Sequence, residues 1–88
     1  MPWTIEYAET ALNDLRKLDK QTSLRIVNYI EKRVADSSDP RNTGRALAGP
    51  MGKLWRYRIG DFRVICDIQT GALRVLVIRV GRRDKIYR

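Results

Sequence analysis

Arg56, Arg58 and Arg63 crowd one stretch of the chain, KLWRYRIGDFRVICDIQTGALRVLVIRV at residues 53–80, and arginine at this density is suited to phosphate. A guanidinium stays protonated at any physiological pH, and its planar fork of donors matches two oxygens of a phosphate. Such groups can hold an anion or stabilise charge that accumulates on it. They cannot take up the proton that a nucleophile releases. The chain has no histidine and a single cysteine, so the usual soft ligand sets for zinc are missing and neither a metal nor a cofactor is expected.

A hairpin is what would bring these arginines together. Gly60-Asp61 lies between two alternating runs and reads as a two-residue loop of type I′ or II′, which fixes register. Ile59 then faces Phe62, Arg58 faces Arg63, Tyr57 faces Val64, Arg56 faces Ile65 and Trp55 faces Cys66. With side chains alternating, Trp55, Tyr57, Ile59, Phe62, Val64 and Cys66 form an apolar side, and Arg56, Arg58 and Arg63 a cationic one. Directly opposed like charges destabilise a strand pair, so Arg58 against Arg63 points to an anionic ligand, with phosphate the leading candidate.

The remaining elements support that hairpin. Residues 2–7 alternate and are rich in β-branched and aromatic types, which predicts a short first strand. Ala8, Ala11, Leu12, Leu15 and Leu18 then recur at helical spacing, ending near Asp19. A second helix is expected over residues 21–35, with Leu24, Val27, Ile30, Glu31 and Val34 as its stripe and Thr22 or Ser23 as its cap. The short link favours an antiparallel helix pair. Residues 36–52 read as a long loop anchored by Leu47. A second two-residue turn at Thr70-Gly71 would set Ile68 against Leu73, Cys66 against Val75 and Val64 against Val77. On the other side it would place Asp67 beside Arg74, Leu76 beside Ile65 and Ile78 beside Arg63. The fold class is α+β: a short N-terminal strand, a helix pair, a three-stranded antiparallel meander and a C-terminal tail that begins at Arg82.

Eighty-eight residues make one domain, 1–88, with a single core. Residues 53–88 hold ten Lys or Arg against three Asp, whereas residues 1–52 are nearly balanced, so the excess charge is localised as on a polyanion-binding surface. Cys66, Trp3 and Trp55 are expected in the core. No signal segment or membrane-spanning run is visible, so a cytoplasmic protein without a membrane partner is expected. Arg82, Arg83 and Tyr87 lie just beyond the last strand, where the tail could fold over the cationic side.

The sequence also resembles the RelE toxins of the RelE/ParE superfamily across nearly its whole length. The residues that carry the likeness are Leu47-x-Gly, Trp55-Arg-Tyr-Arg-Ile, Phe62-Arg-Val and, most specifically, Val80-Gly-Arg-Arg-x-x-Ile-Tyr87. The resemblance implies a bacterial type II toxin that enters the ribosomal A site and cuts messenger RNA without metal, leaving a 2′,3′-cyclic phosphate and a 5′-hydroxyl. It implies catalytic roles for Arg58, Arg63, Arg83 and Tyr87, and RNA or phosphate binding by Arg56, Arg82, Lys53 and Lys85. The implied partners are a RelB-like antitoxin, the ribosome with its message, and operator DNA through the antitoxin complex. Where many relatives carry histidine before the C-terminal arginine this chain has Arg82, which leaves Tyr87 as the candidate general base. A ParE-like inhibitor of gyrase and a non-catalytic nucleic-acid-binding module are the competing readings.

Overall fold

The computed structural model describes residues 3–47 and 53–82. The chain runs β1 (Thr4–Tyr7), α1 (Glu9–Arg16), α2 (Lys20–Tyr29), a π-helical turn (Ile30–Val34), a 3-10 turn (Pro40–Asn42), β2 (Arg45–Ala46), β3 (Trp55–Ile59), β4 (Phe62–Gln69), a second 3-10 turn (Thr70–Ala72) and β5 (Arg74–Arg82). The five strands form one sheet in the order β1-β5-β4-β3-β2. The expected meander is its centre, extended by β1 parallel to β5 and by β2 antiparallel to β3. Two residues of β2 are too few to display an alternating pattern, which is why residues 36–52 read as loop alone.

One face of the sheet is covered by the helices. Ala11 and Leu15 from α1, with Ile26, Ile30 and Val34, pack against Tyr57, Ile59, Val64, Cys66, Val75, Val77 and Val80. The stripe of the second helix differs from the expected one: Leu24 is 51% exposed, and the buried positions fall four apart. An ideal helix drifts away from a four-residue repeat, but the widened π turn, closed by the Ala35 N–H on the Ile30 carbonyl at 3.1 Å, keeps Val34 stacked under Ile30. The cap also differs. The carboxylate of Asp19 accepts from the Thr22 N–H at 3.0 Å and from its hydroxyl at 2.6 Å, which fills the N-cap role proposed for Thr22 or Ser23. These bonds from Thr22 hold the Asp19 carboxyl below its usual range.

The hairpin of β3 and β4 has the expected register at every pair from Trp55 with Cys66 to Ile59 with Phe62. Gly60 has φ +61, and among the described residues Leu73 is the only non-glycine with positive φ, so the loop has the φ pattern of type II′.

The second hairpin departs from its expected register. Its turn takes four residues, with Leu73 in the left-handed region at φ 50, so Gln69 rather than Asp67 faces Arg74, and Ile68 rather than Cys66 faces Val75. Cys66 then faces Val77 and Asp67 faces Leu76. A bulge follows: β4 advances one residue, from Cys66 to Ile65, while β5 advances two, from Val77 to Arg79. The extra residue returns Val80 to the core opposite Val64 and sets Gly81, not Ile78, against Arg63.

Candidate functional site

Arg58 and Arg63 are direct cross-strand partners, and Arg56 is flanked by Ile65 on one side and Arg45 on the other. Two arginine pairs therefore stand on neighbouring ladders, where opposed like charges destabilise. Arg45 joins the site with no sign in the sequence, since it comes from the two-residue β2. What holds β2 there is close backbone packing at Gly44, whose φ is +79; a Cβ on it would lie 2.3 Å from the Arg56 carbonyl oxygen and 2.6 Å from Trp55 Nε1. Trp55, half-buried, donates its indole N–H to the Thr43 carbonyl at 2.7 Å and fixes the same loop.

Among the described residues β2 pairs only with Trp55 and Arg56, which leaves residues 57–59 of β3 as an edge with no strand beside it. There Tyr29, Gly44, Arg45, Arg56 and Arg58 line a pocket of about 450 Å³. A guanidinium-lined recess at a sheet edge can take an anionic, planar-oxygen ligand such as a phosphodiester. Other strand arginines have different work. Arg79 donates to Asp14 at 2.8 Å, which raises its pKa, and Asp14 also accepts from the Val80 N–H at 2.9 Å. Arg74 donates to Gln69 at 2.6 Å and lies 3.5 Å from Glu6. Among the described residues, neither Arg45 nor Arg56 has such a carboxylate partner.

Arg82 is brought to a different place. It lies opposite Phe62, with its guanidinium carbon 5.5 Å from the ring centroid, and helps line a groove with Asp14, Lys17 and Leu18 of the α1 side. Successive residues alternate faces, so Arg82 with Phe62 stands across the sheet from Arg63. Lys53 is exposed just ahead of β3. Arg83, Lys85 and Tyr87 lie outside the described residues.

Two tyrosines are held by the scaffold. Tyr57 donates its hydroxyl to the Pro40 carbonyl at 2.7 Å, and burial pushes its pKa up. Burial, followed by the hydrogen bond to Glu31, does the same to Tyr7. Neither suits the role of base. Cys66 is fully buried and its thiol is pushed up by burial, which makes it the core residue expected.

A small α+β unit with a cationic sheet edge is the frame of a known class. The family described as the ParE toxin of type II toxin-antitoxin systems, parDE, matches residues 5–87. The chain belongs to this family and is a type II toxin. Its likeness runs to the RelE toxins in particular: it is 29% identical over 87 residues to the toxin RelE of Mycobacterium tuberculosis, covering 99% of this chain and 88% of that one. It is also 28% identical over 88 residues to the toxin RelG of the same organism, covering 100% and 99%. The solved toxin-antitoxin complex RelBE2 of M. tuberculosis superposes with a TM-score of 0.85 at 25% identity, over 94% of this chain and 93% of the matched one. Among the described residues no helix is long and apolar enough to cross a membrane.

Proposed function

We propose that this toxin is a ribosome-dependent endoribonuclease that cleaves messenger RNA in the A site and so stops translation. The observation that supports it most is the pair of opposed arginines, Arg58 with Arg63, extended by Arg45 with Arg56 around one open strand edge. Four guanidinium groups set on adjoining strands suit a site where a polyanion is to be held.

In this reading the ribose 2′-oxygen attacks the adjacent phosphorus, the bond to the 5′-oxygen breaks, and the products are a 2′,3′-cyclic phosphate and a 5′-hydroxyl. Charge builds on the non-bridging oxygens, where Arg58 and Arg63, fixed by the strand register, stabilise it. Arg56 and Lys53 hold the backbone on either side. The nucleophile's proton needs an acceptor that no arginine can be, and Tyr87 is assigned that role with Arg83 and Lys85 lowering its pKa. A proton is returned to the departing 5′-oxygen. Arg82, on the α1 side, adds to the field rather than gripping the scissile phosphate. The ribosome contributes alignment of the message.

The relative from M. tuberculosis was solved as a toxin-antitoxin complex, and a RelB-like antitoxin is the partner assigned here, covering or displacing residues 82–88. Operator DNA would be bound through that complex. Primer extension on a message in a translating extract is the test. Cuts confined to A-site codons, slowed in Tyr87→Phe with ribosome binding retained, support the reading; an intact message overturns it. The match to a ParE toxin family favours a second reading, a ParE-like inhibition of gyrase. Gyrase-dependent DNA breaks with an intact message would establish that one instead.

A further inference from the structure

We infer that the flank of α2 and of the π turn that borders the β3 edge is a second RNA-binding track, leading away from the arginine pocket and holding a segment of phosphate backbone other than the one that reacts. It rests on the nuclease reading only in taking RNA as the ligand. The buried positions Ile26, Ile30 and Val34 fix which side of the helix faces the sheet, and the exposed flank beside the β3 edge carries Arg25, Lys32 and Arg33. These three join Tyr29, Arg58 and Gly60 around a groove of about 390 Å³. Tyr29 and Arg58 also line the arginine pocket, so the two recesses adjoin along the open edge of β3.

The groove is built rather than incidental. The Arg25 guanidinium lies against the hairpin tip, so that a Cβ on Gly60 would meet its Nη2 at 2.9 Å. Arg33 lies over the Tyr29 ring, 5.9 Å from its centroid. The π turn supplies Lys32 and Arg33. Among the described residues no carboxylate lines either recess, and no ion pair engages Arg25, Lys32 or Arg33.

Charge complementarity selects the occupant. A docked protein helix would bury an apolar ridge, yet the apolar lining here is Tyr29 and Ile59, the latter only 6% exposed. An RNA strand needs donors for its phosphates and a planar group on which a base can stack, and the groove offers both, the second in the Arg33 guanidinium over the Tyr29 ring.

The test measures binding of a long single-stranded 2′-O-methyl RNA, which lacks the nucleophile, against salt concentration. Arg25→Gln/Lys32→Gln/Arg33→Gln removes three charges from the groove, and Arg16→Gln/Lys17→Gln/Lys20→Gln removes as many from the helical surface elsewhere. The slope of log affinity against log salt should become shallower by about 2 in the groove variant and stay as in the wild type in the control, at roughly 0.7 per phosphate contact on a single strand. Equal slopes in the groove variant and wild type, or the same change in both variants, would overturn the track. So would loss of antitoxin binding with the salt slope unchanged. Binding is read without cleavage, so a wild type that cuts nothing would sink the nuclease reading and leave this comparison intact.

Discussion

The two hairpins of this sheet share strand β4 and differ in every other respect. The hairpin of β3 and β4 turns in two residues, keeps an unbroken ladder and carries Arg56, Arg58 and Arg63 of the candidate site. The hairpin of β4 and β5 turns through a 3-10 segment, shifts register between Ile65 and Cys66, and carries the valines of the core. A functional surface needs side chains at set spacings, and an unbroken ladder supplies them. A core strand that must also reach α1 benefits from a bulge, which returns Val80 to the interior while Asp14 holds Arg79 and the Val80 N–H. Precision sits in one hairpin and accommodation in the other.

The sharpest way to break this comparison is to remove the arginines. Arg58→Ala or Arg63→Ala should lower the rate of A-site cleavage about 10²–10³-fold with the circular dichroism of the fold retained, as expected for loss of a preorganised donor. Single-turnover cleavage on programmed ribosomes measures it. Next comes the tight turn. Gly60→Ala places a Cβ at φ +61 and should cost about 1–2 kcal/mol in urea unfolding.

Cys66, on the shared strand β4, gives a pH signature. Burial raises its folded-state pKa, so its contribution to stability is full below the ordinary thiol range, near pH ~8.5, and is lost as pH rises above it. Stability should fall by about 1.4 kcal/mol per pH unit there, and Cys66→Ala should flatten that limb even though the cavity lowers stability overall. Asp14→Asn, which keeps one acceptor for two donors, should destabilise by about 1 kcal/mol and leave cleavage by the arginine hairpin nearly unchanged. The smallest effect is expected at Gly71, which has open space around its Cβ position and no positive φ; Gly71→Ala should fall within about ±0.5 kcal/mol. A large loss there would mean that the second turn is as exacting as the first.

How much was legible follows the same division. The β3–β4 register could be read because Gly60-Asp61 leaves a single two-residue closure between alternating runs. Around Thr70-Gly71 the residues permit a turn of two or of four, and the left-handed conformation goes to Leu73, a residue type that gives no hint of it. The bulge leaves no mark in composition either, so Ile78 was set beside Arg63 where Gly81 stands. The family resemblance, carried by whole motifs, survived these local errors. Arg45 was hidden by the brevity of β2. The cations at positions 25, 32 and 33 stand in a half of the chain whose charge is nearly balanced, and only the fold gathers them on one flank.

The parallel pairing of β1 with β5 has a consequence for biosynthesis. Thr4 finds its partner at Arg74, so the sheet cannot close until its fifth strand has been made, and contacts so distant in sequence form slowly. The early helices and the arginine hairpin meanwhile lack Val75, Val77 and Val80, against which they pack. A nascent copy is therefore unarmed for most of its own synthesis, which leaves an interval in which a binder of the incomplete sheet could intercept it.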